Sequence, residues 1–202
     1  LSRYGGADII ICRVSWAPAG RLFFQVQDRE GRWLDLNAAD PVTGATHTLF
    51  RETTPAWVNP LGEPHWLPDG SFLWRSERDG WAHLYHYDPA GQLRAQLTTG
   101  PWEVREVHGV DAAAGCVYVT GTLDTALEHH LYRVPLAGGQ PLRLTAPGFS
   151  HQALFDRALT RYVDTFSNLT TPPRVQLHAP DGAVIRIISE NRVPALDEFD
   201  LV

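Results

Sequence analysis

The sequence predicts an all-β protein built from about four consecutive four-stranded antiparallel blades of a β-propeller. Three observations carry this. First, Trp81-Ala-His-Leu-Tyr-His-Tyr-Asp-Pro-Ala-Gly91 is echoed by Glu128-His-His-Leu-Tyr-Arg-Val-Pro-Leu-Ala-Gly138, and each runs into a Leu-Thr step, at Leu97-Thr98 and Leu144-Thr145. Looser copies lie at Arg32-Trp-Leu-Asp-Leu36 and Arg174-Val-Gln-Leu-His178. Second, the turn glycines Gly44, Gly91, Gly138 and Gly182 are spaced by 47, 47 and 44 residues, and a period in the forties made of short strands is the mark of propeller blades. Third, no stretch carries helical periodicity, whereas Asp-Gly steps at Asp69-Gly70 and Asp79-Gly80 separate short apolar runs as hairpin turns do.

The first repeat reads as Arg13–Trp16, Arg21–Gln27, Arg32–Leu36 and Thr46–Phe50. The second reads as Pro64–Leu67, Ser71–Ser76, Trp81–Tyr87 and Leu93–Thr98. In the third, the strands are Glu106–Val110, Cys116–Thr120, His130–Val134 and Leu142–Thr145; in the fourth they are His151–Phe155, Arg161–Phe166, Arg174–His178 and Ala183–Ile188. Blades are accordingly placed at 9–55, 56–100, 101–147 and 148–189, with 190–202 a linker or the start of a further blade whose strand would run from Phe199 to Val202. Adjacent apolar residues in second strands, such as Phe72-Leu73-Trp74, fit sheets covered on both faces.

The chain has 202 residues, is 44% hydrophobic and 20% charged, and so suits a globular protein with a buried core. A net charge of −6 opposes a role with nucleic acid, which calls for a basic face, and no run of about 18 apolar residues is present to span a membrane. Methionine is absent and the chain starts at Leu1, which leads to the expectation of a piece of a longer protein. Its opening lacks the order of a signal sequence, and its compartment is left open. Cys12 and Cys116 lie in apolar runs and read as small buried hydrophobes rather than a disulfide framework.

Six segments, Phe72-Leu-Trp-Arg-Ser-Glu-Arg-Asp-Gly80, His83-Leu-Tyr85, Leu97-Thr-Thr-Gly-Pro-Trp-Glu-Val104, Glu128-His-His-Leu-Tyr-Arg-Val134, Tyr162-Val-Asp-Thr-Phe-Ser-Asn168 and Pro172-Pro173, carry a further signal. Together they resemble the propeller of dipeptidyl peptidase IV-like serine peptidases, of the prolyl oligopeptidase superfamily. The resemblance implies an eight-bladed propeller, of which this is about the second half, followed by an α/β-hydrolase domain. It further implies removal of N-terminal dipeptides after proline or alanine, the propeller gating and positioning peptide substrates. The missing propeller half and the hydrolase domain would then be this segment's partners.

The chemistry itself is not expected in this chain. The nucleophile elbow Gly-x-Ser-x-Gly is absent: Gly148-Phe-Ser150 comes nearest and has Gln152 where the second glycine belongs. The paired glutamates that hold the substrate ammonium in the family would precede Leu1. No catalytic residue and no cofactor is therefore assigned. By the same resemblance, Ala56-Trp-Val-Asn59 leads into a loop lining the outer substrate pocket, which makes Trp57 and Asn59 the candidate substrate-binding residues. The following Pro60-Leu-Gly-Glu-Pro64 departs from the family's basic and His-Asp versions, so a plain connection with a packing tryptophan is the competing reading.

Other clusters favour structural readings. His83 and His86, and His129 and His130, diverge on strands and have no carboxylate or cysteine partner at ligand spacing, so no metal site is assigned. Glu77-Arg78-Asp79 sits at a hairpin tip, Glu103 reads as ordering a loop, Asn168-Leu-Thr170 is a formal glycosylation acceptor, and Trp16, Trp33 and Trp74 read as core. A partial ring leaves two open faces, leading to the expectation of self-association or marginal stability. The alternative function is a free-standing propeller scaffold for protein partners.

Overall fold

The computed structural model describes residues 4–198; the strand expected at Phe199–Val202 lies outside the described residues. Among the described residues, sixteen strands form four separate four-stranded antiparallel sheets, each a simple meander in chain order. The chain divides after Thr99 into two compact units of two sheets each.

In the first unit, β1 (Ile9–Trp16), β2 (Leu22–Asp28), β3 (Trp33–Ala39) and β4 (Thr46–Thr53) make one sheet. The other sheet is β5 (His65–Trp66), β6 (Phe72–Ser76), β7 (His83–Tyr87) and β8 (Leu93–Gln96). The middle strands are buried almost throughout and the outer strand β8 is exposed at every position, so the core is sandwiched between sheets. Phe23, Leu34, Leu36 and Ala38 pack on Phe72, Trp74, Tyr85 and Tyr87. Phe50 wedges between them, stacked 4.5 Å from Tyr87 and edge-on to Trp74 at 5.3 Å. The opposite face of β3 is polar but also closed: Arg51 meets Asp35 at 2.6 and 2.9 Å, and the Tyr4 hydroxyl donates to Asp35 at 3.1 Å.

The second unit pairs β9 (Val104–Asp111), β10 (Cys116–Gly121), β11 (His130–Pro135) and β12 (Leu142–Arg143) with β13 (Ser150–Phe155), β14 (Tyr162–Ser167), β15 (Arg174–His178) and β16 (Val184–Ser189). Cys116, Tyr118 and Leu131 face Ala153 and Tyr162 across its core. β10 is buried at all six residues, the behaviour expected of a strand covered on both sides.

The sequence echo has a physical cause. The Thr98 hydroxyl accepts the Leu84 N–H at 3.0 Å and meets His83 Nδ1 at 3.0 Å, while the Leu97 N–H reaches the Leu84 carbonyl at 2.8 Å. The second copy repeats this: Leu131 N–H to Thr145 Oγ1 at 3.2 Å, His130 Nδ1 to Thr145 at 3.0 Å, and Leu144 N–H to the Leu131 carbonyl at 2.8 Å. Each His-Leu-Tyr and Leu-Thr pair is thus a clasp between the third and fourth strands of its sheet. The turn glycines are explained at two places. A Cβ on Gly91 would lie 2.7 Å from Leu49 Cβ and 3.0 Å from its carbonyl oxygen, and one on Gly182 would lie 2.8 Å from the Leu144 carbonyl oxygen. Both turns press on the preceding sheet, Gly91 on β4 and Gly182 on the residue that follows β12, at positive φ.

Three expectations are corrected. Trp16 is 64% exposed rather than core, because β1 is an edge strand with one hydrogen-bonded neighbour. Trp33 is half-buried, stacked on Tyr4 and capped by the Arg51 guanidinium 4.1 Å above its ring. Cys12 is only partly covered, at a register shift in β1, whereas Cys116 is buried as expected.

Leu84 and Leu131 have no exposed surface. Replacing either with alanine is expected to reduce stability by about 2–5 kcal/mol in urea denaturation, and a change below about 0.5 kcal/mol would contradict this packing.

Candidate functional site

The segment between β4 and β5, residues 54–64, carries both candidate substrate-facing residues. Pro55, Pro60 and Pro64 remove main-chain donors and fix φ, so the segment cannot continue either strand. It is instead held by groups from the strands beneath it. The Val58 N–H donates to the Gly31 carbonyl at 2.7 Å. Gln27 Nε2 donates to the Val58 carbonyl, Gln25 Nε2 to the Gly62 carbonyl at 2.7 Å, and the Arg75 guanidinium to the Leu61 carbonyl. Val58 is buried and Pro64 closes the far end.

Trp57 is 54% exposed, with its ring laid against Gly31, where an added Cβ would sit 2.7 Å from the indole. Gly31 has φ +69° and no side chain, and both properties are needed for this approach. Asn59 is exposed but committed: its Nδ2 donates to Glu77 Oε2 at 2.7 Å. Beneath, the buried Glu52 carboxylate accepts Trp74 Nε1 at 3.1 Å and Ser76 Oγ at 2.8 Å, and pairs with Arg78. Arg78 in turn lies over the Tyr85 ring at 4.2 Å. A cavity of about 10 Å³ between loop and strands has room for roughly one water, so any larger ligand would meet the loop from outside.

The remaining candidates serve the fold. Within Glu77-Arg78-Asp79, Glu77 takes the Asn59 amide, Arg78 pairs with Glu52, and Asp79 accepts Gln96 Nε2 at 2.6 Å. Glu103 orders its loop through Arg105 at 3.0 Å and through main-chain bonds with Thr122. Asn168 closes an Asx turn onto the N–H groups of Thr170 and Thr171, and its amide donates to the Gly148 carbonyl at 2.9 Å. His86 meets Ser71 Oγ at 3.0 Å, His130 Nε2 lies 2.8 Å from Glu128, and His151 bridges Asp164 at 2.7 Å and the Ala146 carbonyl at 2.9 Å. Among the described residues, no three His, Cys, Asp or Glu side chains converge to hold a metal ion.

A family model, the dipeptidyl peptidase IV (DPP IV) N-terminal region, matches residues 1–173. The chain belongs to this family. Mouse (Mus musculus) dipeptidyl peptidase 8 is 28% identical over 83% of the chain and 25% of its own length. The probable dipeptidyl peptidase 4 of Aspergillus fumigatus is 25% identical over 100% of the chain and 29% of its own length. The crystal structure of Porphyromonas gingivalis dipeptidyl peptidase 4 superposes with a TM-score of 0.86 at 23% identity, over 94% of this chain and 27% of that one. This DPP IV N-terminal region thus spans between a quarter and three-tenths of the length of these relatives.

The anchors Gln25, Gln27 and Arg75 were not singled out in the sequence. The one available signal was the pair of glutamines at alternate positions of an otherwise apolar strand, Phe24-Gln25-Val26-Gln27.

His65, at the loop's exit, is pushed down to about 4 by burial, with the Arg75 charge adding to it. A ring whose folded value lies below its ordinary 6.5 stays neutral in the fold, so stability is fully present above pH 6.5 and falls as pH drops from 6.5 towards 4. Burial lowers His86, His108 and His130 in the same direction. The expected loss from His65 is about 3 kcal/mol across that window. Urea midpoints from pH 7 to 4 should show it, with a shallower fall in His65→Gln.

Proposed function

We propose that this DPP IV N-terminal region is a non-catalytic propeller segment that gates and positions peptide substrates for a hydrolase domain of the same protein. The observation that carries the reading is the 54–64 loop, anchored at Val58, Leu61 and Gly62 while it leaves the Trp57 indole half open to solvent. A fixed aromatic ring offers an extended peptide apolar contact at little ordering cost. The absence of Gly-x-Ser-x-Gly from the chain and the names of its relatives support placing the chemistry elsewhere. In the full-length protein, Trp57→Ala is expected to raise KM for an Xaa-Pro chromogenic dipeptide derivative about 2- to 10-fold with kcat little changed, the worth of one aromatic contact. An unchanged KM would remove Trp57 from the substrate path.

The isolated chain should also self-associate. β16 is a sheet edge exposed at every residue, and it presents Val184, Ile185, Ile187 and Ile188, each more than half exposed. β1, also an edge, presents Ile10, Val14 and Trp16. Unpaired apolar edges are templates for further pairing. Sedimentation velocity is expected to show dimers or larger species that Ile185→Lys with Ile187→Lys diminishes; a monodisperse monomer at tens of micromolar would refute this.

A further inference from the structure

We propose that Gln25 and Gln27 are positioning residues, a two-amide clamp that sets the conformation of residues 57–62. The inference rests on the reading of that loop as substrate-facing and names what holds it in place.

The clamp follows from strand geometry. Residues i and i+2 of a strand share a face about 6.6 Å apart, so Gln25 and Gln27 project together from β2. Both are buried, at 1% and 5% exposure. Their Nε2 groups meet carbonyls four residues apart in the loop, Val58 and Gly62, and so bracket Asn59, Pro60 and Leu61. The Gln27 amide is itself oriented, since the Cys12 thiol donates to its Oε1 at 3.5 Å.

Gln25 is turned with its donor end to the loop: Nε2 reaches the Gly62 carbonyl, while Oε1 is buried and, among the described residues, has no hydrogen-bond partner. The amide is explained by its donor end, which fixes the Gly62 carbonyl. With Arg75 on the Leu61 carbonyl, three side-chain donors hold the inner side of one short segment. Trp57 adjoins the first clamped residue and rests on Gly31, whose carbonyl takes the Val58 N–H, so the indole is carried by the same anchorage.

The test is the double variant Gln25→Met/Gln27→Met in the full-length protein, which keeps side-chain length and removes both donors. Hydrogen exchange by mass spectrometry is read for the 54–66 peptide and for peptides of β2, β3, β6 and β7, alongside steady-state kinetics on the Xaa-Pro derivative. The expected result is exchange at least 10-fold faster confined to 54–66, with KM raised and kcat unchanged. Unchanged exchange at 54–66 would overturn the clamp, as would acceleration spread equally over the strands, which marks a merely structural role. Faster local exchange with unchanged KM would leave the clamp standing and sink the substrate-facing reading instead. Should the double variant not fold, Gln25→Met alone carries the same readouts.

Discussion

Burial of the middle strands on both faces is the constraint on which the rest of this structure depends. A four-stranded meander in isolation covers neither face, and strands such as β10 or β3, buried here on both, would expose the side chains of each. Stacking a second sheet against the first turns Leu34 and Leu36, or Cys116 and Tyr118, into core, and requires something to close the opposite face. On β3 that closure is polar: Asp35 and Asn37 are almost completely buried but served by Arg51, Thr48 and Tyr4. Charges at such positions are tolerated only when paired and hydrogen-bonded, and these are.

The same demand explains how the outer strands are secured. They are short or exposed and contribute little area of their own; β12 has only two residues. In two sheets the His-Thr clasp supplies the missing tie. In the first sheet Trp33 and Thr53 are the facing pair, and Glu52, opposite Leu34, reaches across to Trp74, Ser76 and Arg78 of the neighbouring sheet.

Strand number, order and turns were legible because they rest on local chemistry. Asp-Gly turns, alternating short apolar runs and the His-Leu-Tyr/Leu-Thr echo each have a cause within one sheet, and the architecture follows from their period. What was not legible depends on neighbours distant in the chain. Trp16 has the composition of a core residue, and only its place on an edge strand leaves it in solvent. Trp57 and Asn59 could be named from resemblance, but nothing local announces that the indole rests on Gly31 or that the amide is held by Glu77. Nothing near Gln25 and Gln27 in the sequence marks them as anchors, because their partners lie 37 and 31 residues away.

The three prolines of the 54–64 segment have a consequence for thermodynamics as well as shape. Each restricts the unfolded chain, so less conformational freedom is surrendered when the loop adopts its folded path. A surface ordered in this way before any ligand arrives pays little further entropy on association. A ligand that docked on this loop as proposed would show a small heat-capacity change, limited to the apolar area it covers, and not the large one that accompanies loop folding.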